Sequence, residues 1–204
     1  MGILTRVSDN WVRRSGKARL MPYLFWTKVE DRATLEGSSK DAVREHFRNW
    51  INTRSVERDG PGADHPNLIN ESPRYRACLY VDKDVMMSAS LTAYPFPQNP
   101  TGFHLKVEGH VVLIDAQYGQ HYLNQPGIDE YDRAELESGD LTEEDLEEGQ
   151  YEPIEGKTEY DVGWQYIKLE LTATIYDQMC HFHDAWIQPN FYTRPPAIGE
   201  GGTA

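Results

Sequence analysis

The apolar residues of this chain change period along its length, and that change limits the folds open to it. Between Ser38 and Thr53 they recur at helical spacing. Val43, Phe47, Trp50 and Ile51 follow at intervals of four, three and one, with Ala42 and His46 flanking the same face. Ser38-Ser39-Lys40-Asp41 ahead of them places a hydroxyl at the N-cap and a carboxylate three residues on. This predicts one amphipathic helix that frays by Thr53-Arg54, with Lys40, Arg44, Glu45 and Arg48 outside the buried stripe. Asp59-Gly60-Pro61-Gly62 stops any continuation.

After Tyr75 the period becomes two. Residues 75–81 and 85–94 read as strands around an Asp82-Lys83-Asp84 turn. Phe103, Leu105 and Val107 alternate with His104, Lys106 and Glu108; Gly109 then implies a bulge or tight bend before the apolar run Val111 to Ile114. The clearest alternation sets Ile167, Leu169, Leu171, Ala173 and Ile175 against Lys168, Glu170, Thr172 and Thr174. Residues 179–187 read as its hairpin partner or its continuation past a bend, and Met21 to Val29 as a first strand. The expected class is α+β, mainly β: an antiparallel sheet, as a sandwich, a barrel or a curved sheet, packed on the one helix. Ala42, Val43, Phe47, Trp50 and Ile51 are expected to bury against a sheet that includes 167–175.

Charge divides the chain further. The net charge is −13, and residues 129–161 hold 15 acidic side chains against Arg133 and Lys157. The remainder is balanced, with 18 acids and 18 bases. Residues 1–20 lean the other way, with Arg6, Arg13, Arg14, Lys17 and Arg19 against Asp9. The expected organisation is a basic N-terminal arm over 1–20, a single β-rich domain over 21–194 with an acidic insertion at 129–161, and a flexible C-terminal tail over 195–204. Within the insertion Thr142 can cap a short helix, and Leu141 and Leu146 occupy the positions of a hydrophobic staple.

No stretch reaches the ~18 apolar residues of a membrane span, and residues 1–20 do not read as a secretory signal. Two cysteines, Cys78 and Cys180, make no disulfide framework and read as free thiols in apolar, strand-like settings. A cytoplasmic or other intracellular location is expected, with a virion also compatible.

Few residues suggest chemistry. In Cys180-His181-Phe182-His183-Asp184 a strand would put His181 and His183 on one face about 7 Å apart. His104 and His110 are the candidates for a third member of a His-lined pocket. A metal centre needs at least three ligands, so HxH alone implies neither a metal nor another cofactor. Phosphate-binding glycine loops, a GxSxG elbow, CxxC and a calcium loop are all missing from the sequence. The acidic balance disfavours nucleic acid as a partner of the body.

The leading expectation is a structural or assembly protein, a β-rich subunit of a homo-oligomer or particle. Trp11, Val12, Arg13 and Arg14 on the arm, and Leu141 and Leu146 in the insertion, are its contact residues. Two rivals stand beside it. One is a small β-barrel or cone-fold enzyme using His181, His183, His104 and His110. The other is an acidic binding module that imitates nucleic acid toward a basic protein through 129–161.

Overall fold

The computed structural model describes residues 2–14, 26–66, 72–96, 99–119, 151–182, 185–187 and 191–199. The class is α+β. The centre is a four-stranded mixed sheet in which β1 (Ala77–Tyr80), β4 (His110–Asp115), β5 (Trp164–Lys168) and β6 (Ile198–Gly199) lie side by side in that order. β1, β4 and β5 run antiparallel, while β6 joins β5 in parallel through Tyr166/Ile198 and Ile167/Gly199. A second sheet holds only β2 (Ser90–Phe96) and β3 (Asn99–Glu108).

The helices are α1 (Gly2–Arg14), α2 (Arg32–Leu35), α3 (Lys40–Asn52), α4 (Val56–Asp59), α5 (Pro73–Arg76), α6 (Lys83–Ser88) and α7 (Thr172–His181). More of the described residues are helical than extended, so the expected dominance of strand is corrected.

The core explains the order. Val111, Val112 and Ile114 of β4 are fully buried, and Trp164 and Ile167 of β5 nearly so. They share one apolar cluster with Leu4, Val43, Leu169, Ile175, Met179 and Trp186. Val111 to Asp115 of β4 are all buried, so both faces of this strand are covered, which is why its run is continuously apolar rather than alternating.

Three segments depart from expectation for identifiable reasons. β5 ends at Lys168 because its partner begins opposite, at His110. Gly109, at φ +106°, turns the chain away there, so no ladder remains for residues 169–175. The Leu169 N–H still finds the Gly109 carbonyl at 3.1 Å; the chain then coils through a 3-10 turn (Leu169–Leu171) into α7. Buried Thr172, Ile175 and Met179 stand at helical spacing, so the alternation through 175 concealed a second period. Residues 179–181, expected to be extended, complete this helix.

The expected Asp82-Lys83-Asp84 turn instead starts α6. The Asp82 carboxylate accepts the Val85 N–H at 2.9 Å, an N-cap that draws 83–88 out of the strand before them. Met21 to Phe25 lie outside the described residues, and Trp26 to Glu30 form no regular element.

α3 forms where its stripe predicts, one residue late. Ser39 is the N-cap, its hydroxyl accepting the Ala42 N–H at 3.2 Å, while the Ser38 hydroxyl donates to the Thr34 carbonyl. Val43 and Ile51 are buried and Phe47 and Trp50 partly so, but Ala42 is exposed. Ile51, Phe47 and Trp50 pack with Tyr75 and Ala116 in a small separate cluster, not on residues 167–175.

Arg44, expected at the surface, is 3% exposed. Its guanidinium donates to the Asp115 and Gly163 carbonyls at 2.8 and 2.7 Å, pairs with Asp41 and lies 4.8 Å over the Tyr118 ring. Arg48 donates to the Ala116 and Tyr118 carbonyls at 2.7 and 2.8 Å. These two arginines fasten α3 to the chain leaving β4. Gly163 must be glycine here: its φ is +76° and a Cβ would lie 2.3 Å from Tyr118 Cγ.

Residues 2–14, expected to lack periodicity, form a helix whose Leu4, Ser8 and Val12 are buried four residues apart, and α1 packs on α7 and the 3-10 turn. Ile198 and Gly199, placed by the sequence in a flexible tail, form the edge strand β6. The end of the acidic segment is also fastened. Arg194 donates to the carbonyls of Glu152, Lys157, Glu159 and Tyr160, Lys157 Nζ meets Asp41 at 2.7 Å, and Glu155 accepts the Lys40 N–H.

Candidate assembly surface

The β2–β3 ribbon is rooted at a tight crossing. Gly109 backs onto the end of α6, where a Cβ would lie 2.6 Å from the Ser88 carbonyl oxygen. The Ser88 hydroxyl accepts the His110 N–H at 3.2 Å and donates to the Val85 carbonyl at 2.8 Å. One step up the ribbon, the Ser90 hydroxyl donates to Glu108 at 3.2 Å. Gly109 therefore lets two adjacent strands of sequence, β3 and β4, enter different sheets.

From that root the antiparallel register runs Ser90/Glu108, Leu91/Val107, Thr92/Lys106, Ala93/Leu105, Tyr94/His104 and Pro95/Phe103, with an irregularity between Pro95 and Phe96. Successive strand positions alternate faces. Leu91, Ala93, Pro95, Phe103, Leu105 and Val107 thus share one face, and Thr92, Tyr94, His104 and Lys106 share the other. Val107, nearest the root, is buried in the main core. No other described strand pairs with either outer edge of the ribbon. Beside the root, Met86 and Met87 on α6 are 69% and 76% exposed. A ribbon whose outer edges no described strand pairs can form backbone ladders with another polypeptide, and the two exposed methionines at its base can bury apolar surface there.

The residues expected to carry chemistry are not brought together. His181 closes a helix, not a strand; it is exposed and its Nδ1 lies 2.7 Å from the Asp177 carbonyl. The one-face pairing with His183 therefore does not arise from a strand, and His183 lies outside the described residues. His110 begins β4 and packs edge-on against Tyr166 at 4.7 Å. His104 takes a register position on β3 opposite Tyr94. Among the described residues no group of three or more His, Cys, Asp or Glu could hold a metal ion. No helix among them is long and apolar enough to cross a membrane.

Of the expected contact residues, Val12 is 1% exposed, buried within this chain, and Arg13 is exposed. Trp11 and Arg14 belong to α1, their side chains outside the described set; Leu141 and Leu146 lie outside it altogether. Cys180 is exposed on the helix α7, against the expectation of an apolar, strand-like setting. Cys78 on β1 is half-buried, and its apolar surroundings push the thiol up to about 12.

The chain was compared with family models, curated proteins and solved structures, and none of them matches.

Two polar clusters are structural in character. Around Trp50, the Asp59 carboxylate is fully covered and meets Arg58 and Arg74 at 2.7 and 2.8 Å. Both guanidiniums lie over the indole, at 4.1 and 5.5 Å. Burial alone would raise the Asp59 carboxyl; the hydrogen bonds and charge of Arg58 and Arg74 outweigh it and hold the group below its ordinary value. On the main sheet, Lys40 Nζ sits 5.4 Å over Tyr80 and 5.2 Å over Trp164, with Asp82 at 3.7 Å. The ammonium is thereby held at the sheet by two rings and one carboxylate, all from this chain.

The methionine pair and the free ribbon were not singled out from sequence. Asp82, three residues before Val85, was the available signal for α6. Nothing in the alternation of 90–108 distinguishes a free ribbon from two strands of the main sheet.

Proposed function

We propose that this chain is a structural or assembly subunit that binds further copies of itself, with the β2–β3 ribbon and the neighbouring Met86 and Met87 as the contact surface. The observation that carries this reading is the ribbon: seven and ten residues of strand, set in a sheet of their own, with outer edges that no other described strand pairs. An isolated two-stranded hairpin is marginal in water, and free edges are normally defended or covered. The opposite biases of residues 1–20 and 129–161 would orient the encounter, a role that charge performs better than lasting adhesion. Arg13, exposed on α1, is available for it, whereas Val12 is not. Partners of a basic protein type through 129–161, and a His-lined pocket, draw no comparable support from the described geometry.

The test is solution mass by sedimentation at about 10–100 µM, in ~50 mM and ~500 mM salt. These salts span weak and strong screening. The expected result is an oligomer at both salts, forming more slowly at high salt. A monomer throughout at low salt rejects the proposal.

A further inference from the structure

We propose that two copies pair edge to edge through β2, antiparallel about a two-fold axis, so that two ribbons become one four-stranded sheet in the order β3–β2–β2–β3. This rests on the assembly reading above and names its contact. Four free strand edges can be compared among the described residues: β1 and β6 in the main sheet, and β2 and β3 in the ribbon. Natural edges are defended by shortness, charge, proline or irregular register. β1 has four residues and β6 has two, so both are short. β3 carries Lys106 and Glu108, and its far end contains Pro100 and Gly102. β2 has none of these defences over Ser90 to Tyr94: it carries no charged residue, and its one proline, Pro95, lies at the far end beside the irregular register.

A two-fold contact must also tolerate itself, since each residue meets the same surface from the other copy. An uncharged strand does so in any antiparallel register, because no like charges can face each other. The pairing supplies acceptors and donors to the outward backbone groups of Ser90–Phe96 and lifts the ribbon from two strands to four. It also doubles the apolar face begun by Leu91, Ala93 and Pro95 opposite Val107, Leu105 and Phe103. Val81, Met86 and Met87, 47%, 69% and 76% exposed, lie on the chain leading into β2 and add apolar surface beside it.

The variant that separates the ribbon from the contact is Thr92→Glu. Thr92 stands opposite Lys106 in the register, so a carboxylate there makes a favourable cross-strand pair within one copy. Across the two-fold axis, near the middle of β2, the same substitution brings two negative charges together and takes them from water. The expected result is that the wild type dimerises and Thr92→Glu raises the dimer dissociation constant about tenfold or more, a change of roughly 1.4 kcal/mol. Thr92→Val should dimerise as the wild type does. Amide hydrogen exchange adds a measurement that needs no variant: wild-type protection over 90–96 should rise with protein concentration, while β4 stays unchanged. Wild-type oligomers with concentration-independent exchange over 90–96, or a folded Thr92→Glu that assembles normally, overturn the β2 pairing and leave the assembly reading standing. A wild type that is monomeric at ~100 µM, far above typical specific dissociation constants, overturns both.

Discussion

Asp59 concentrates several forces in one carboxylate. It is covered, bonded to two arginines, and those arginines lie over Trp50, so its loss leaves cations over an indole with no counter-charge. Each arginine keeps 29% of its side chain exposed, which moderates the penalty. Asp59→Asn should cost about 2 kcal/mol at pH 7, within the range for hydrogen bonds to charged groups. The sign with pH follows from the depressed carboxyl. Its contribution is full above the unfolded value of about 4 and is lost as pH falls through the lower folded value. Melting temperatures of wild type and variant should therefore converge in acid; a gap that stays constant from pH 7 to pH 2 would contradict the ion-pair account. The cysteines give a second residue-level expectation. A thiol reagent at pH 8 should label exposed Cys180 rapidly and half-buried Cys78 much more slowly, because the Cys78 thiol holds its proton to about 12. Equal labelling rates would place Cys78 at the surface.

At the scale of elements, the turn at Gly109 decides which strands share a sheet. Gly109→Ala meets both an unfavourable φ and the Ser88 carbonyl oxygen at 2.6 Å, and the obstacle is backbone, which cannot rotate aside. A destabilisation of roughly 2–4 kcal/mol is expected from strain and overpacking together. Urea denaturation measures it, and a loss under about 0.5 kcal/mol, typical of a surface change, would reject the crossing geometry. The caps of α3 separate two adjacent serines. Ser39→Ala should cost about 1 kcal/mol as a lost N-cap, and Ser38→Ala should cost less because its hydroxyl only supports the preceding turn. The reverse ranking would restore the N-cap to Ser38.

For the molecule as a whole, α1 is a part of the fold and not a detachable arm. Leu4 and Val12 are buried against α7 and its flanking turn, so deleting residues 1–20 should lower the melting temperature of the remaining domain as well as alter assembly. Val12→Ala should cost about 1–3 kcal/mol, the scale of deleting buried methyl groups. A truncated chain with an unchanged melting temperature would show that α1 contributes nothing to the domain. Mixing experiments then connect stability with association: if assembly proceeds through β2, Val12→Ala shifts the melt but leaves the dissociation constant of the folded dimer in place.

What the sequence by itself determined are the features carried by neighbours along the chain. The α3 stripe, the strand runs at 77–80 and 110–115, the ribbon's alternation and the bend at Gly109 all follow from spacing and from glycine's freedom. Tertiary structure alone decided where alternation stopped being strand. Residues 169–175 fit two periods, and they became helical because the partner strand ended at His110 and their backbone groups had to bond locally. It also drew Arg44 inward, since two carbonyls from distant segments meet beside the Asp41 carboxylate only in the folded chain and can satisfy a guanidinium there. The assignment of β3 and β4 to different sheets has the same origin: a pleat records which residues share a face, while hydrogen-bond partners are chosen across the molecule.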